Sequence, residues 1–209
     1  MFDLDGTLWD STVTVARAWD AVVRELHPGH PEIDQAAIRG VMGLAHRELS
    51  QRLFPDLSPA VRERLVQACY AREDAWLRRE GARVYPGVPQ GLAALAARYP
   101  LAIVSNCQRG YIETFFAVTG LAALFGEAEC HGNTGKSKGE NLADVVRRGG
   151  MRRAVFVGDT AGDEAAAGQA GIPFLHAAYG FGQPVAPCPT FADFGALTAY
   201  LLGADSTAS

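Results

Sequence analysis

Three short apolar runs, widely separated in the chain, end in the same way. Met1-Phe2 leads into Asp3-Leu4-Asp5-Gly6-Thr7, Leu101-Ala102-Ile103-Val104 into Ser105-Asn106, and Ala154-Val155-Phe156-Val157 into Gly158-Asp159-Thr160-Ala161-Gly162-Asp163. Uninterrupted apolar runs of this length, alternating with helical windows, predict the strands of a parallel sheet buried on both faces. Ligands of such sheets gather beyond the carboxyl ends of the strands. The three polar tails are therefore expected to meet at one rim.

The rest of the chain divides into two textures. From Arg83 onward, helical windows near 88–98, 109–118, 139–148 and 162–170 alternate with the strand candidates, of which Ile172-Pro173-Phe174-Leu175 is a further one. Residues 12–82 carry helical periodicity alone. Val15, Trp19, Val22 and Leu26 share a face, with Asp10 or Ser11 placed to cap the first turn. Ser58-Pro59 marks a second start, leading into Val61, Leu65, Ala68 and Trp76, and Gly43–Leu53 is a shorter helical candidate. The expectation is an α/β protein: a three-layer core with a parallel sheet from residues 1–11 and 83–209, with an all-helical unit, 12–82, inserted into it. Tyr85-Pro86-Gly87 is the natural junction. Only Met1 and Phe2 precede Asp3, so either a longer apolar run lies upstream or the first strand is a stub. A polar tail, Asp205–Ser209, is expected to fray.

Composition narrows the function. With 48% hydrophobic residues among 209, the chain can bury a real core, and a net charge of −4 argues against nucleic-acid binding by bulk electrostatics. No apolar run approaches the length of a spanning helix. Asp3 and Asp5 stand where a signal peptide would carry Lys or Arg, which favours a cytoplasmic protein. Cys69, Cys107, Cys130 and Cys188 form no CxxC pair and read as reduced, buried thiols.

Asp3, Asp5, Asp159 and Asp163 would bring four carboxylates to the shared rim, too many to remain ionised at close range without compensation. A hard divalent cation with oxygen ligands relieves that repulsion, and Mg²⁺ suits carboxylates combined with a substrate phosphate. Gly135-Lys136-Ser137-Lys138-Gly139 offers two amines just before a helix. Carboxylates, metal and lysine together describe a phosphoryl-transfer site.

These residues carry a resemblance. Asp3-Leu4-Asp5-Gly6-Thr7-Leu8, Ser105-Asn106, Lys138 in Ser137-Lys138-Gly139-Glu140-Asn141, and Gly158-Asp159-Thr160-Ala161-Gly162-Asp163 resemble, in order, the four motifs of the haloacid-dehalogenase-like hydrolase superfamily. The similarity is nearest to its phosphoglycolate-phosphatase-like branch, which inserts a helical cap where residues 12–82 lie. It implies a Rossmann-like core and a Mg²⁺-dependent phosphatase acting on a small phosphorylated metabolite, as monomer or homodimer, without nucleic-acid or membrane partners. It also implies roles: Asp3 as nucleophile and metal ligand, and Asp5 as general acid and then base, with its backbone carbonyl on the metal. Ser105, with the backbone amides of Leu4 and Asn106, would bind phosphate. Lys138 would bridge nucleophile and phosphate, Asp159 would ligate Mg²⁺, and Asp163 would hold the ion through water or orient one of its ligands. Lys136 competes with Lys138, which is preferred because the helix starts there. A phosphosugar mutase of the same superfamily and a non-catalytic relative with an incomplete first strand are the alternatives.

Other features have plainer readings. Ser105-Asn106 could cap a following helix. Gly135-Lys136-Ser137 is not a P-loop tail, since Cys130 stands where that motif requires glycine. Gly180-Phe181-Gly182 reads as a loop. His131 and His176 lack metal-ligand spacing and read as surface or supporting residues. Trp9 and Arg109 are expected to flank the pocket, with a packing role for Trp9 equally open. Arg39, His46, Arg47 and Arg52 are the cap cations available to a substrate.

Overall fold

In the computed structural model, which describes residues 1–203, Phe2 is bonded on both sides. Its amide donates to the Ala102 carbonyl at 2.9 Å and its carbonyl accepts from Val104 at 2.9 Å, while the Asp3 amide reaches the Val157 carbonyl at 2.8 Å. Phe2 thus forms parallel bridges with both Ile103 and Val157. Through Phe2 the first strand joins the two halves of the sheet. The tail expected from Asp205 lies outside the described residues.

In chain order the elements are β1 (Trp9–Asp10), α1 (Thr12–Leu26), α2 (Gln35–Arg39), α3 (His46–Leu53), α4 (Pro59–Glu80), β2 (Arg83–Val84), α5 (Val88–Ala96), β3 (Ala102–Ser105), α6 (Tyr111–Thr119), β4 (Glu127–Cys130), α7 (His131–Thr134), α8 (Lys138–Arg148), β5 (Phe156–Gly158), α9 (Ala161–Ala170), β6 (Phe174–Ala177), β7 (Thr190–Phe191) and α10 (Phe194–Gly203). The parallel sheet runs β4–β3–β5–β6–β7, with Phe2 between β3 and β5.

Successive strand side chains point to opposite faces, and both faces are covered. Ile103, Val157 and Leu175 pack with Leu92, Phe115 and Phe194 of α5, α6 and α10. Ala102, Val104, Phe156 and Phe174 pack with Leu142, Val145 and Ala167 of α8 and α9. The result is a three-layer, Rossmann-like α/β core. Strand β4 was not expected, because Glu127-Ala128-Glu129-Cys130 pairs only with β3 and carries charge rather than an apolar run.

Helices α1–α4 pack on one another, and β1 pairs antiparallel with β2 at the stem of this insert (Trp9 opposite Val84). Of the two residues expected to cap the first turn of α1, Asp10 does so. Asp10 Oδ1 accepts from the Thr12 amide at 3.1 Å, whereas Ser11 makes no capping bond. Val15, Trp19 and Val22 are buried as expected, but Leu26 is 61% exposed at the end of α1. In α4 the buried row is Leu65, Cys69, Glu73 and Leu77, so the face is rotated from the expected Val61, Leu65, Ala68 and Trp76. Trp76 instead lies half-buried beneath the guanidinium groups of Arg17 and Arg79. A carboxylate in the inward row disguised its periodicity.

Candidate active site

The chain leaves the sheet at Asp3 and turns at once. The Leu4 carbonyl accepts the amides of Thr7 at 3.3 Å and Leu8 at 2.8 Å, and Gly6 adopts φ +81°. A Cβ at Gly6 would stand 2.2 Å from Asp159 Oδ2. Glycine is therefore required twice over, by its backbone conformation and by the approach of a carboxylate.

Asp3, Asp159 and Asp163 are buried, and their carboxylate oxygens lie within 4.8 Å of one another. Lys138 stands among them, with Nζ 2.8 Å from Asp3 Oδ1 and 2.6 Å from Asp163 Oδ1. Its position follows from local sequence. Ser137 and Glu140 form a capping box that starts α8 at Lys138. Thr160 and Asp163 form a second box at the start of α9, so Asp163 Oδ2 accepts the Thr160 amide at 3.0 Å while Oδ1 remains for Lys138. Lys136, the competing lysine, is 48% exposed and paired with Asp144 at 2.6 Å.

Three carboxylates share one ammonium. Burial pushes the Asp3 carboxyl up to about 6, against the pull of the Lys138 charge. Burial, and then the charges of Asp163 and Asp3, push Asp159 well above the ordinary carboxylate range. Lys138 is driven the other way: burial alone would lower it, but Asp163 and Asp3 raise it overall, so it stays charged. The set is short of positive charge, and an oxygen-seeking divalent cation such as Mg²⁺ fits that deficit.

Asp5 is held apart from this group. Ser11 Oγ donates to its Oδ1 at 2.6 Å and Tyr111 Oη donates to the same oxygen at 2.9 Å. Burial nevertheless pushes its carboxyl up to about 7. Asp3, Asp5, Ser105 and Asn106 line one cavity of about 50 Å³ whose far wall comes from α1, α4 and the segment around α2 and α3. Asn106 does not cap a helix, because α6 starts only at Tyr111; its Nδ2 donates to the Gly43 carbonyl at 2.9 Å, tying the insert to the end of β3.

Three further residues contribute to the site. Ser11 sits where a helix cap is expected, yet its Oγ bonds Asp5. Tyr111, 106 positions from Asp5, left no local signal. The Gly180-Phe181-Gly182 loop was set aside, yet the Phe181 amide donates to Asp159 Oδ2 at 2.7 Å, and a Cβ at Gly180 would stand 2.3 Å from that of Asp159. The signal for this loop was present, since it follows an apolar strand at the same sheet edge. Trp9, for which a packing role was as open as a place beside the pocket, is fully buried and packed edge-on against Phe115. Arg109 and His131 line a wider, neighbouring cleft of about 680 Å³. His176 is buried within β6. All four cysteines are free thiols, Cys69 and Cys130 buried, Cys107 and Cys188 half-buried. Among the described residues, no helix is long and apolar enough to cross a membrane.

The plasmid phosphoglycolate phosphatase of Cupriavidus necator is 32% identical, over 92% of this chain and 86% of its own. The phosphoglycolate phosphatase of Psychrobacter arcticus is 30% identical, over 98% of this chain and 95% of its own. In fold, the crystal structure of a predicted phosphoglycolate phosphatase from Haemophilus somnus superposes with a TM-score of 0.85 at 23% identity, covering 96% of each chain. The family model for haloacid dehalogenase-like hydrolases matches residues 1–177, which takes in every carboxylate and the lysine described above, and the chain belongs to that family.

Proposed function

We propose that this phosphatase hydrolyses a small phosphate monoester with Mg²⁺, through a phosphoryl group carried on Asp3. The observation that carries this reading is the meeting of Asp3, Asp159 and Asp163 around Lys138 at the carboxyl ends of the strands. Asp3 and Asp159, with the backbone carbonyl of Asp5, would hold the cation, and Asp163 would orient Lys138 behind it. When bound, the ion would supply positive charge toward the phosphoryl oxygens.

In the first step an Asp3 carboxylate oxygen attacks phosphorus and the bond to the leaving oxygen breaks. Asp5, with its carboxyl raised to about 7, is partly protonated at neutral pH, and the protonated form gives its proton to that oxygen. In the second step Asp5, now ionised, takes a proton from water as the water attacks phosphorus. The bond to Asp3 then breaks and phosphate leaves. Ser105 Oγ and the amides of Leu4 and Asn106 hold the phosphate oxygens, while the Lys138 ammonium offsets their charge.

The helical insert, residues 12–82, serves as a cap on the core formed by residues 1–11 and 83–209. It supplies the far wall of the cavity and excludes water while the leaving group departs. Support comes from the bond between Asn106 and Gly43 and from the insert residues lining the cavity.

The test is phosphate release from a generic phosphomonoester. Turnover with Mg²⁺, its loss in EDTA and its loss in Asp3→Asn support the reading. Metal-independent turnover, or an active Asp3→Asn protein, would end it, and isomer formed without free phosphate would mean a mutase.

A further inference from the structure

The cavity into which Asp3 and Asp5 open has an unusual balance of chemistry. Its insert side is built from Trp19, Ile38, Met42, Leu44 and Leu49, and the one acidic side chain there is Glu73. Glu73 is 3% exposed, accepts from Trp19 Nε1, and accepts from Gln108 Nε2 at 2.6 Å. Among the described residues that line this cavity there is no lysine, arginine or histidine.

The cations of the insert are engaged elsewhere. Arg39 lies 3.6 Å from Asp10 and stacks on the Phe181 ring. His46 bonds Tyr70 and Glu63 in the neighbouring cleft. Arg47 and Arg52 are exposed to solvent. Lys138 is held between Asp3 and Asp163.

A second anionic group on the leaving alcohol would enter this cavity without a cationic partner. Burying an unpaired carboxylate in apolar surroundings is strongly unfavourable. An uncharged alcohol meets no such penalty: its carbon body packs on Ile38, Met42 and Leu49, and a hydroxyl can pair with Glu73 or Gln108. From this, we infer that the leaving group is an uncharged, largely apolar alcohol, and that an alcohol bearing a carboxylate, glycolate among them, is a poor substrate. The inference rests on the phosphatase reading above, and it separates this chain from the relatives named as phosphoglycolate phosphatases.

A matched pair of esters tests it. 2-Hydroxyethyl phosphate differs from 2-phosphoglycolate only in carrying a neutral CH2OH in place of the carboxylate. With the full chain and Mg²⁺, kcat/KM is expected to be at least tenfold higher for the neutral ester. Equal values, or a preference for phosphoglycolate, would overturn the inference. Turnover of neither ester would count against the phosphatase reading, and the inference is then read from calorimetric binding of both esters to Asp3→Asn with Mg²⁺. Tighter binding of the neutral ester supports it; equal binding, tighter phosphoglycolate, or binding of neither refutes it.

Discussion

The hydroxyl of Tyr111 lies 2.9 Å from Oδ1 of Asp5, and Ser11 Oγ reaches the same oxygen at 2.6 Å. Two donors on one oxygen fix the carboxyl plane and leave the other oxygen to exchange a proton with the leaving group.

Replacing Tyr111 by phenylalanine removes one of these donors and leaves the ring packing in place. The expected loss is about 1–2 kcal/mol of transition-state stabilisation, or roughly tenfold in kcat. KM should change much less. Steady-state kinetics measure this directly, and an unaltered kcat would remove Tyr111 from the account.

The two lysines of the 136–138 segment should behave in opposite ways. Lys138→Met leaves Asp3 and Asp163 buried without their partner, which costs about 3–5 kcal/mol. Lys136→Met removes a half-exposed pair and should stay within about 0.5 kcal/mol of wild type. Urea melts of the two variants provide the comparison.

Gly180→Ala should damage the site, because a Cβ there would stand 2.3 Å from Asp159 Cβ and 2.4 Å from the Gly6 carbonyl. Either Asp159 or the loop must move, and Mg²⁺-dependent turnover is expected to fall at least roughly tenfold. Gly168→Ala, inside α9 with nothing within 4 Å of the new Cβ, is expected to stabilise by about 0.5–1 kcal/mol. Phosphate-release assays and thermal melts on both proteins check the contrast.

Glu73 gives the fold a pH signature. Burial pushes its carboxyl up to about 8, above the ordinary value of 4.5, while the donors Trp19 and Gln108 pull the other way. Between those two pH values the folded chain binds more protons than the unfolded chain, so stability falls as pH rises. The slope is at most roughly 1.4 kcal/mol per pH unit for this one group. Glu73→Gln, which keeps the shape and an acceptor for Trp19, should flatten that decline in melts from pH 5 to 8. An unchanged slope would mean that Glu73 does not titrate in this range.

Much of this was legible in the sequence, because a buried parallel strand must be apolar and its polar continuation must emerge at the sheet edge. Asp3, Asp159 and Asp163 follow from that logic, whereas the start of α4 shows in the Ser58-Pro59 cap and Lys138 in the two-amine loop before a helix. Residues that signal through packing escaped. The charged edge strand β4 has no apolar run to reveal it, Glu73 broke the periodicity of α4, and Tyr111 reaches Asp5 only through tertiary structure. The Phe181 loop was legible in principle, since it too follows an apolar strand at the same edge.

The central claim is that Asp3 carries the phosphoryl group. Acid-quenching the Asp5→Asn protein during turnover of an aryl phosphate, whose leaving group needs no acid while the second step has lost its base, and mapping the peptides by mass spectrometry tests it most directly. The account predicts one phosphoryl group on the peptide containing Asp3, absent without Mg²⁺ and absent when Asp3→Asn is added. A phosphoryl group on another residue, or steady hydrolysis by the Asp3→Asn protein, would contradict it.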